Sequence, residues 1–125
     1  MLSLENLKFS FEFYDCSGKY CISDWKKDDI RKSLKCLKDI NTKSYKDLSR
    51  QCRVYHFGEV DWKRTIEKNG FPDSRVNSLS PFHFALVGVN NQKARVFGAY
   101  SSGIFYIVWF DLEHKIWPTE KRNTH

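Results

Sequence analysis

The chain has 125 residues, of which 41% are hydrophobic and 16% aromatic, so it fits one domain and is too rich in core-forming side chains for a disordered protein. No apolar run approaches the roughly 20 residues of a membrane-spanning helix, which excludes that class. The net charge of +6 favours an anionic partner such as nucleic acid, although the same charge also serves the solubility of a small domain.

The cysteines and the first residues of the chain indicate the cellular compartment in which we expect the protein. Cys16, Cys21, Cys36 and Cys52 include no CxxC pair, so a zinc site is not indicated. The start of the chain lacks the basic and apolar segments of a signal peptide. We therefore expect a cytoplasmic protein whose four thiols stay reduced and act as small apolar side chains.

The first predicted element is a strand over residues 7–14. Apolar and polar residues alternate there, which places Leu7, Phe9, Phe11 and Phe13 on one buried face. Residues 15–18 then form a turn, and residues 19–22 are a candidate return strand that would complete a hairpin.

Two helices follow. Ser23 or Asp24 is expected to cap the first, whose apolar stripe is Ile30, Leu34, Leu37 and Ile40. Ser44 is expected to cap the second, whose stripe is Tyr45, Leu48 and Cys52. The outer faces of both helices are basic, and the residues that we predict to contact nucleic-acid phosphates are Lys27, Arg31, Lys35, Lys38, Lys46 and Arg50. An ordinary solvated face is the alternative.

The remaining chain predicts an irregular insert and then a meander. Within residues 54–81 we expect an extended segment at 54–57, a short helix over 59–68 and a loop over 71–80. Strands are predicted at 82–89, 93–100 and 104–110, with a bulge or close approach at Gly98 and the last strand central. The sequence thus predicts a single α+β domain over residues 1–118, with the helices on one face of the sheet, and a disordered tail over 119–125.

This order of elements resembles that of the RelE/ParE superfamily of bacterial toxins. The resemblance rests on the segments 94–100 and 105–110 and on His114-Lys115, which form part of an ending Trp-x-Asp-x-x-His-Lys shared with a group of bacterial and phage proteins. It implies an mRNA endoribonuclease that works by acid/base catalysis without a metal or other cofactor. It also implies RNA or the ribosome as partner and a separate acidic protein as antitoxin. The insert at 55–82 departs from the compact family pattern.

The polar turn at residues 111–115 is the predicted site, because side chains at the end of a buried strand are held rigidly. The resemblance implies that His114 acts as general acid or base and that Arg95 and Lys115 hold the phosphate. Tyr100 and Tyr106 could each stack on a base or donate to the phosphate.

Structural roles remain open for each of these residues. Asp111 could cap backbone amides of a turn that His114 covers, and Arg95 could pair with Asp111 or Glu113. Tyr100 and Tyr106 could be half-buried residues of the sheet.

The other candidate ligands favour structural roles. His83 alternates with phenylalanines on a strand, and His56 has no partner at metal-ligand spacing. Glu59 and Asp61 could hold Mg²⁺ but more often cap a turn, so no metal is predicted. A non-enzymatic module that docks on a protein or nucleoprotein through its aromatic and basic surface is the alternative to the ribonuclease.

Overall fold

The computed structural model of the protein describes residues 5–118. A single mixed sheet of five strands organises them, with helices on its faces, as the α+β prediction requires. The strands are β1 (Lys8–Ser10), β2 (Gly58–Glu59), β3 (Ser80–Ala85), β4 (Arg95–Ser101) and β5 (Ile104–Asp111). The helices are α1 (Lys27–Ile40), α2 (Tyr45–Arg50), α3 (Cys52–Tyr55) and α4 (Ser74–Asn77), with short 3-10 turns at Ile22–Asp24 and Trp62–Arg64.

The strand order is β1-β5-β4-β3-β2. Strands β3, β4 and β5 form the predicted antiparallel meander, and β2 adds to β3 in antiparallel fashion. Strand β1 instead pairs with β5 in parallel, with Phe9 opposite Phe105. Strand β5 is therefore an interior strand with both faces buried, which explains its continuous apolar run.

Two cores lie on opposite faces of this sheet. The helix-side core packs α1, α2 and α3 on one face through residues such as Leu37, Ile40, Leu48, Phe84, Val96 and Phe105. The loop-side core covers the other face with the irregular layer of residues 60–79 and with Ile116, and it includes Phe71, Val76, Phe97, Val108 and Trp109. The two predicted helices thus share one face, whereas the insert closes the face that they leave open.

Of the two alternatives predicted at the N-terminus, a strand or a hairpin, the structure has the strand, and it is shorter than predicted. The chain turns after Ser10, where the Tyr14 amide donates to the Phe11 carbonyl, so the alternation ends there. Phe11 is 56% exposed, and Phe13 crosses to the loop-side core and packs on Tyr106. Residues 19–22 form no return strand and lead into the 3-10 turn, and the Tyr20 carbonyl accepts from the Phe110 amide of β5.

Helix α1 differs from the prediction in its start and its buried face. It begins at Lys27, and Ser23 and Asp24 lie in the preceding 3-10 turn. Ser33, Cys36, Leu37 and Ile40 are buried, while Leu34 is 59% exposed. Ser33 tolerates burial because its hydroxyl donates to the Asp29 carbonyl at 2.7 Å, which satisfies the polar group inside the helix.

The predicted cap of α2 is confirmed. The Ser44 hydroxyl accepts from the Asp47 amide at 3.2 Å, and the Asp47 carboxylate accepts from the Ser44 amide at 3.0 Å, a reciprocal capping box. The helix breaks at Gln51, so Cys52 opens α3 and is exposed instead of completing the predicted stripe. All four cysteines are free, and of these Cys36 is buried.

The insert at residues 54–81 differs most from its predicted secondary structure. An extended segment was predicted at 54–57, but residues 54 and 55 are the end of α3. Residues 59–68 hold the end of β2 and a 3-10 turn instead of the predicted helix. The predicted loop at 71–80 contains α4. The bulge at Gly98 is confirmed: the β4–β5 register shifts between Phe97 and Gly98, and a Cβ at Gly98 would overlap the Tyr106 carbonyl. The predicted tail 119–125 lies outside the described residues.

Candidate functional site

A pocket of about 200 Å³ lies on the loop-side face, at the end of the sheet where β4 begins. It is bordered by strand residues from β3 and β4, by the chain that follows β5 and by the 3-10 turn after β2. Its lining residues are Arg64, His83, Arg95, Phe97, His114, Trp117 and Pro118. The pocket thus combines two guanidinium groups, two imidazoles and two aromatic rings.

Arg95 is the buried cation of this pocket, with 9% of its surface exposed. It stands opposite Asp111 in the β4–β5 pairing, and its Nη1 donates to the carbonyls of Gln92 at 2.5 Å and Ala94 at 3.1 Å. Burial lowers the pKa of the Arg95 guanidinium, and the charge of Asp111 acts in the opposite direction. Among the described residues only Nη1 has acceptors, so the other N–H groups of Arg95 remain as donors for an anion.

The turn after β5 is built on Asp111, which is buried. Its Oδ1 accepts from the Lys115 amide at 3.1 Å and its Oδ2 from the Ile116 amide at 2.8 Å. Between Asp111 and Lys115 the chain passes through His114, whose backbone is left-handed at φ 60°. The capping role considered for Asp111 is therefore present, and it fixes the backbone from which His114 borders the pocket.

His114 and Lys115 lie on different surfaces despite being adjacent in sequence. His114 borders the pocket with Arg95, whereas Lys115 borders a second cavity that also contains Lys19, Tyr20 and Trp25. The left-handed backbone at His114 turns successive side chains to different sides. Of the three cationic side chains expected at one sheet end, the structure brings Arg95 and His114 together.

The His83 ring lines the pocket between the rings of Phe97 and Trp117. It lies 5.4 Å from Phe97 at an interplanar angle of 19° and 5.0 Å from Trp117. Its Nδ1 is buried and has no hydrogen-bond partner among residues 5–118. Burial, with Arg95 and His114 acting in the same direction, lowers the pKa of His83 to about 4, so the ring is neutral at neutral pH.

Two further residues lie close to these groups: Trp117 lines the pocket, and the charges of Arg95 and His114 act on His56. His56 ends α3 in a left-handed conformation, and its pKa is lowered by burial and by the charges of Arg95 and His114. The guanidinium of Arg64 lies over the Trp117 ring at 6.0 Å from its centroid. Sequence reasoning did not single out Arg64 or Trp117; the usable signal was the position of Trp117 just after the polar turn.

The two predicted tyrosines lie elsewhere. Tyr106 is opposite Ala99 in the sheet and packs on Phe13 at 5.2 Å between ring centroids. Tyr100 packs on Tyr45 at 4.8 Å in the helix-side core, and its hydroxyl accepts from the Gly103 amide. Both are half-buried, and neither borders the Arg95 pocket.

The predicted basic helical face is exposed, but it lies on the other side of the sheet from the pocket. Lys27, Arg31, Lys35 and Lys38 project from α1, which covers the helix-side core, and Lys46 and Arg50 project from α2. Asp28 forms ion pairs with Arg31 at 3.5 Å and with Lys32 at 3.2 Å. Exposed pairs of this kind stabilise the helix by only about 0.3–0.5 kcal/mol.

Residues 5–118 contain no cluster of three His, Cys, Asp or Glu side chains that could hold a metal ion. Asp61 instead accepts from the Lys63 amide as a turn cap. Within the same residues, no helix has the length and apolar character to cross a bilayer. No protein-family model matches the chain, and no curated protein or solved structure shows significant similarity to it.

Proposed function

We propose that the protein acts on RNA, with the Arg95 pocket holding a phosphate of the strand and His114 exchanging a proton with it during cleavage. The observation that carries this proposal is that a buried guanidinium and an imidazole border one pocket. A guanidinium held in place by backbone carbonyls is preorganised, so it can receive a phosphate without reorganising.

The chemistry requires a proton acceptor and a stabilised anion. The ribose 2′-oxygen attacks the adjacent phosphorus and loses its proton to His114, while the bond to the 5′-oxygen breaks and that oxygen takes a proton from water, giving a 2′,3′-cyclic phosphate and a 5′-hydroxyl. His114 supplies the proton-transfer group and Arg95 the charge that offsets the crowded phosphorane. Lys115 and Tyr106 have no part in this site, because they border other surfaces.

The decisive variant is His114→Asn. Asparagine tolerates the left-handed backbone found at His114 (φ 60°) and removes the imidazole, so folding should be preserved. Ser102→Asn is the matched control, because Ser102 is also left-handed (φ 50°), is exposed and lies in the β4–β5 turn at the other end of β4.

The assay uses end-labelled single-stranded RNA and the same oligonucleotide with every 2′-hydroxyl replaced by hydrogen. The wild-type protein should cut the RNA to 2′,3′-cyclic phosphate products and leave the deoxy strand intact. His114→Asn should reduce the rate by about 10²–10⁴ at unchanged melting temperature. Full activity in His114→Asn, or RNA binding without cleavage by the wild type, would contradict the catalytic role.

A non-enzymatic docking module is the second candidate function. One observation favours it: the exposed apolar side chains Leu34 and Val54 lie on helices whose outer faces carry Lys and Arg. Such a surface suits an acidic protein partner. Growth arrest that survives His114→Asn but disappears with Leu34→Glu would favour the docking module over the ribonuclease.

A further inference from the structure

The pocket wall is a row of planar groups. Phe97 and His83 stack at a centroid spacing of 5.4 Å, Trp117 lies 5.0 Å from His83 with its ring tilted by 49°, and the Arg64 guanidinium lies over the Trp117 ring at 6.0 Å. A bare phosphate would gain no attraction from such a wall, because an aromatic face is weakly negative. A nucleobase would bind to the wall, because every base has a planar face that stacks on aromatic or guanidinium groups.

We propose that the pocket binds one nucleotide unit, with a base stacked on Trp117 beneath Arg64 and its phosphate at Arg95. This inference rests on the proposed function and adds the chemical group that the pocket recognises. That group is a base together with its phosphate, and the pocket binds it through stacking and charge instead of sequence-specific hydrogen bonds.

Spacing supports insertion between Arg64 and Trp117. Stacked bases rise about 3.4 Å per step, so a base between two planar groups needs about 6.8 Å. The Arg64–Trp117 separation is 6.0 Å, and a movement below about 1 Å closes the difference. Arg64 is exposed and Trp117 half-buried, so a base can approach this gap from solvent without displacing a buried side chain.

Charge and volume limit the site to one unit. Arg95 is the buried cation of the pocket, and the neighbouring His83 ring is neutral at neutral pH because burial lowers its pKa to about 4. The wall beside Trp117 is therefore planar and uncharged, which suits a base better than a second phosphate. The volume of about 200 Å³ is below the range of about 300–1,000 Å³ typical of sites for larger ligands.

The test compares two probes of equal charge: a six-nucleotide uridine RNA and the same ribose-phosphate strand without bases, both methylated at every 2′-oxygen so that neither can be cleaved during the titration. Affinity is measured by calorimetric titration of the intact protein. The wild type should bind the RNA about 5- to 150-fold more tightly than the abasic strand, the range expected for loss of one stacked base. Trp117→Leu should remove this preference, and Trp117→Phe should keep most of it.

Trp25→Leu is the matched control. Trp25 is likewise half-buried, but it packs on Phe110 in the helix-side core, so the variant should bind both probes like the wild type. The wild-type ratio of the two affinities needs no variant and therefore remains decisive if Trp117→Leu fails to fold.

The outcomes separate this inference from the proposed function. Equal wild-type affinity for both probes would overturn base stacking while leaving phosphate binding intact. An equal loss of affinity for both probes in folded Trp117→Leu would also overturn it. Binding of neither probe by the wild type would overturn the base site and the proposed function together.

Discussion

The two faces of the sheet are covered in different ways. On the helix side, α1 and α2 bury periodic side chains, and a complete capping box satisfies the start of α2. On the loop side, residues 60–79 and 114–117 cover the strands with short turns tied by single bonds, such as that from the Ile66 amide to the Ile116 carbonyl at 2.8 Å.

This difference explains where the pocket lies. A helix satisfies its own backbone and turns most of its polar side chains to solvent, and the hydroxyl of the buried Ser33 bonds within α1 to the Asp29 carbonyl. Within residues 5–118, the irregular layer leaves Arg95 buried and the Nδ1 of His83 without a hydrogen-bond partner, and the Asp111 carboxylate holds the last turn of this layer. Such incompletely satisfied polar groups are typical of functional surfaces.

The largest expected effect comes from β4, the strand that both layers share. Gly98→Ala places a Cβ against the Tyr106 carbonyl and 2.7 Å from the Phe105 ring, and rigid strand neighbours cannot move away. We expect it to lower the free energy of unfolding by more than about 4 kcal/mol, measured by chemical denaturation.

Gly58→Ala is the matched control for this variant. Gly58 lies at the sheet edge in β2, has no atom within 4 Å of an added Cβ and should stay within about 1 kcal/mol of the wild type. If the two alanine variants are equally stable, the close approach at the bulge is not a constraint on the fold.

The next largest effect is a pH dependence of stability that comes from His83 on the loop side. The folded-state pKa of His83 is about 4 against an ordinary value of 6.5, so the unfolded chain binds a proton that the folded chain excludes. Stability should therefore fall as the pH drops from about 6.5 to about 4, by about 3 kcal/mol from this group at 1.36 kcal/mol per unit.

His83→Phe tests that contribution. Phenylalanine keeps the stacking on Phe97 and Trp117 and removes the unpartnered Nδ1, so the variant should be as stable as the wild type or more stable at pH 7. Its stability should decline less between pH 6.5 and 4, as followed by denaturation at each pH. Parallel pH profiles for the two proteins would show that His83 is not buried in its neutral form.

Much of the fold was predictable because its signals are local. The β3–β5 meander, the bulge at Gly98 and the cap at Ser44 each follow from a few neighbouring residues. The parallel pairing of β1 with β5 joins residues about 96 positions apart, and its partner cannot be read from alternation alone. The layer over 60–79 has no period to read, so its 3-10 turn and α4 were missed.

The site was predictable to the extent that it depends on strand pairing. Arg95 and the turn after β5 could be placed at one sheet end because antiparallel partners follow from the turn at Ser102. The separation of Lys115 from His114 depends on one left-handed residue, which the sequence does not mark with glycine or asparagine. The arrival of Trp117 beside His83 depends on the same turn.

The smallest expected effect tests the helix side, where the predicted buried stripe of α1 was wrong at Leu34. The spacing of α1 allows an apolar stripe through Leu34 or one through Ser33, and both include Leu37 and Ile40. Composition favours Leu34, but the structure exposes it (59%) and buries Leu37 (7% exposed). Leu34→Ala should therefore change the free energy of unfolding by no more than about 0.5 kcal/mol, whereas Leu37→Ala should cost about 2–5 kcal/mol. Urea denaturation of both variants decides between the stripes, because a cost above about 2 kcal/mol at Leu34 would require the helix to be rotated toward the face that the sequence alone predicts.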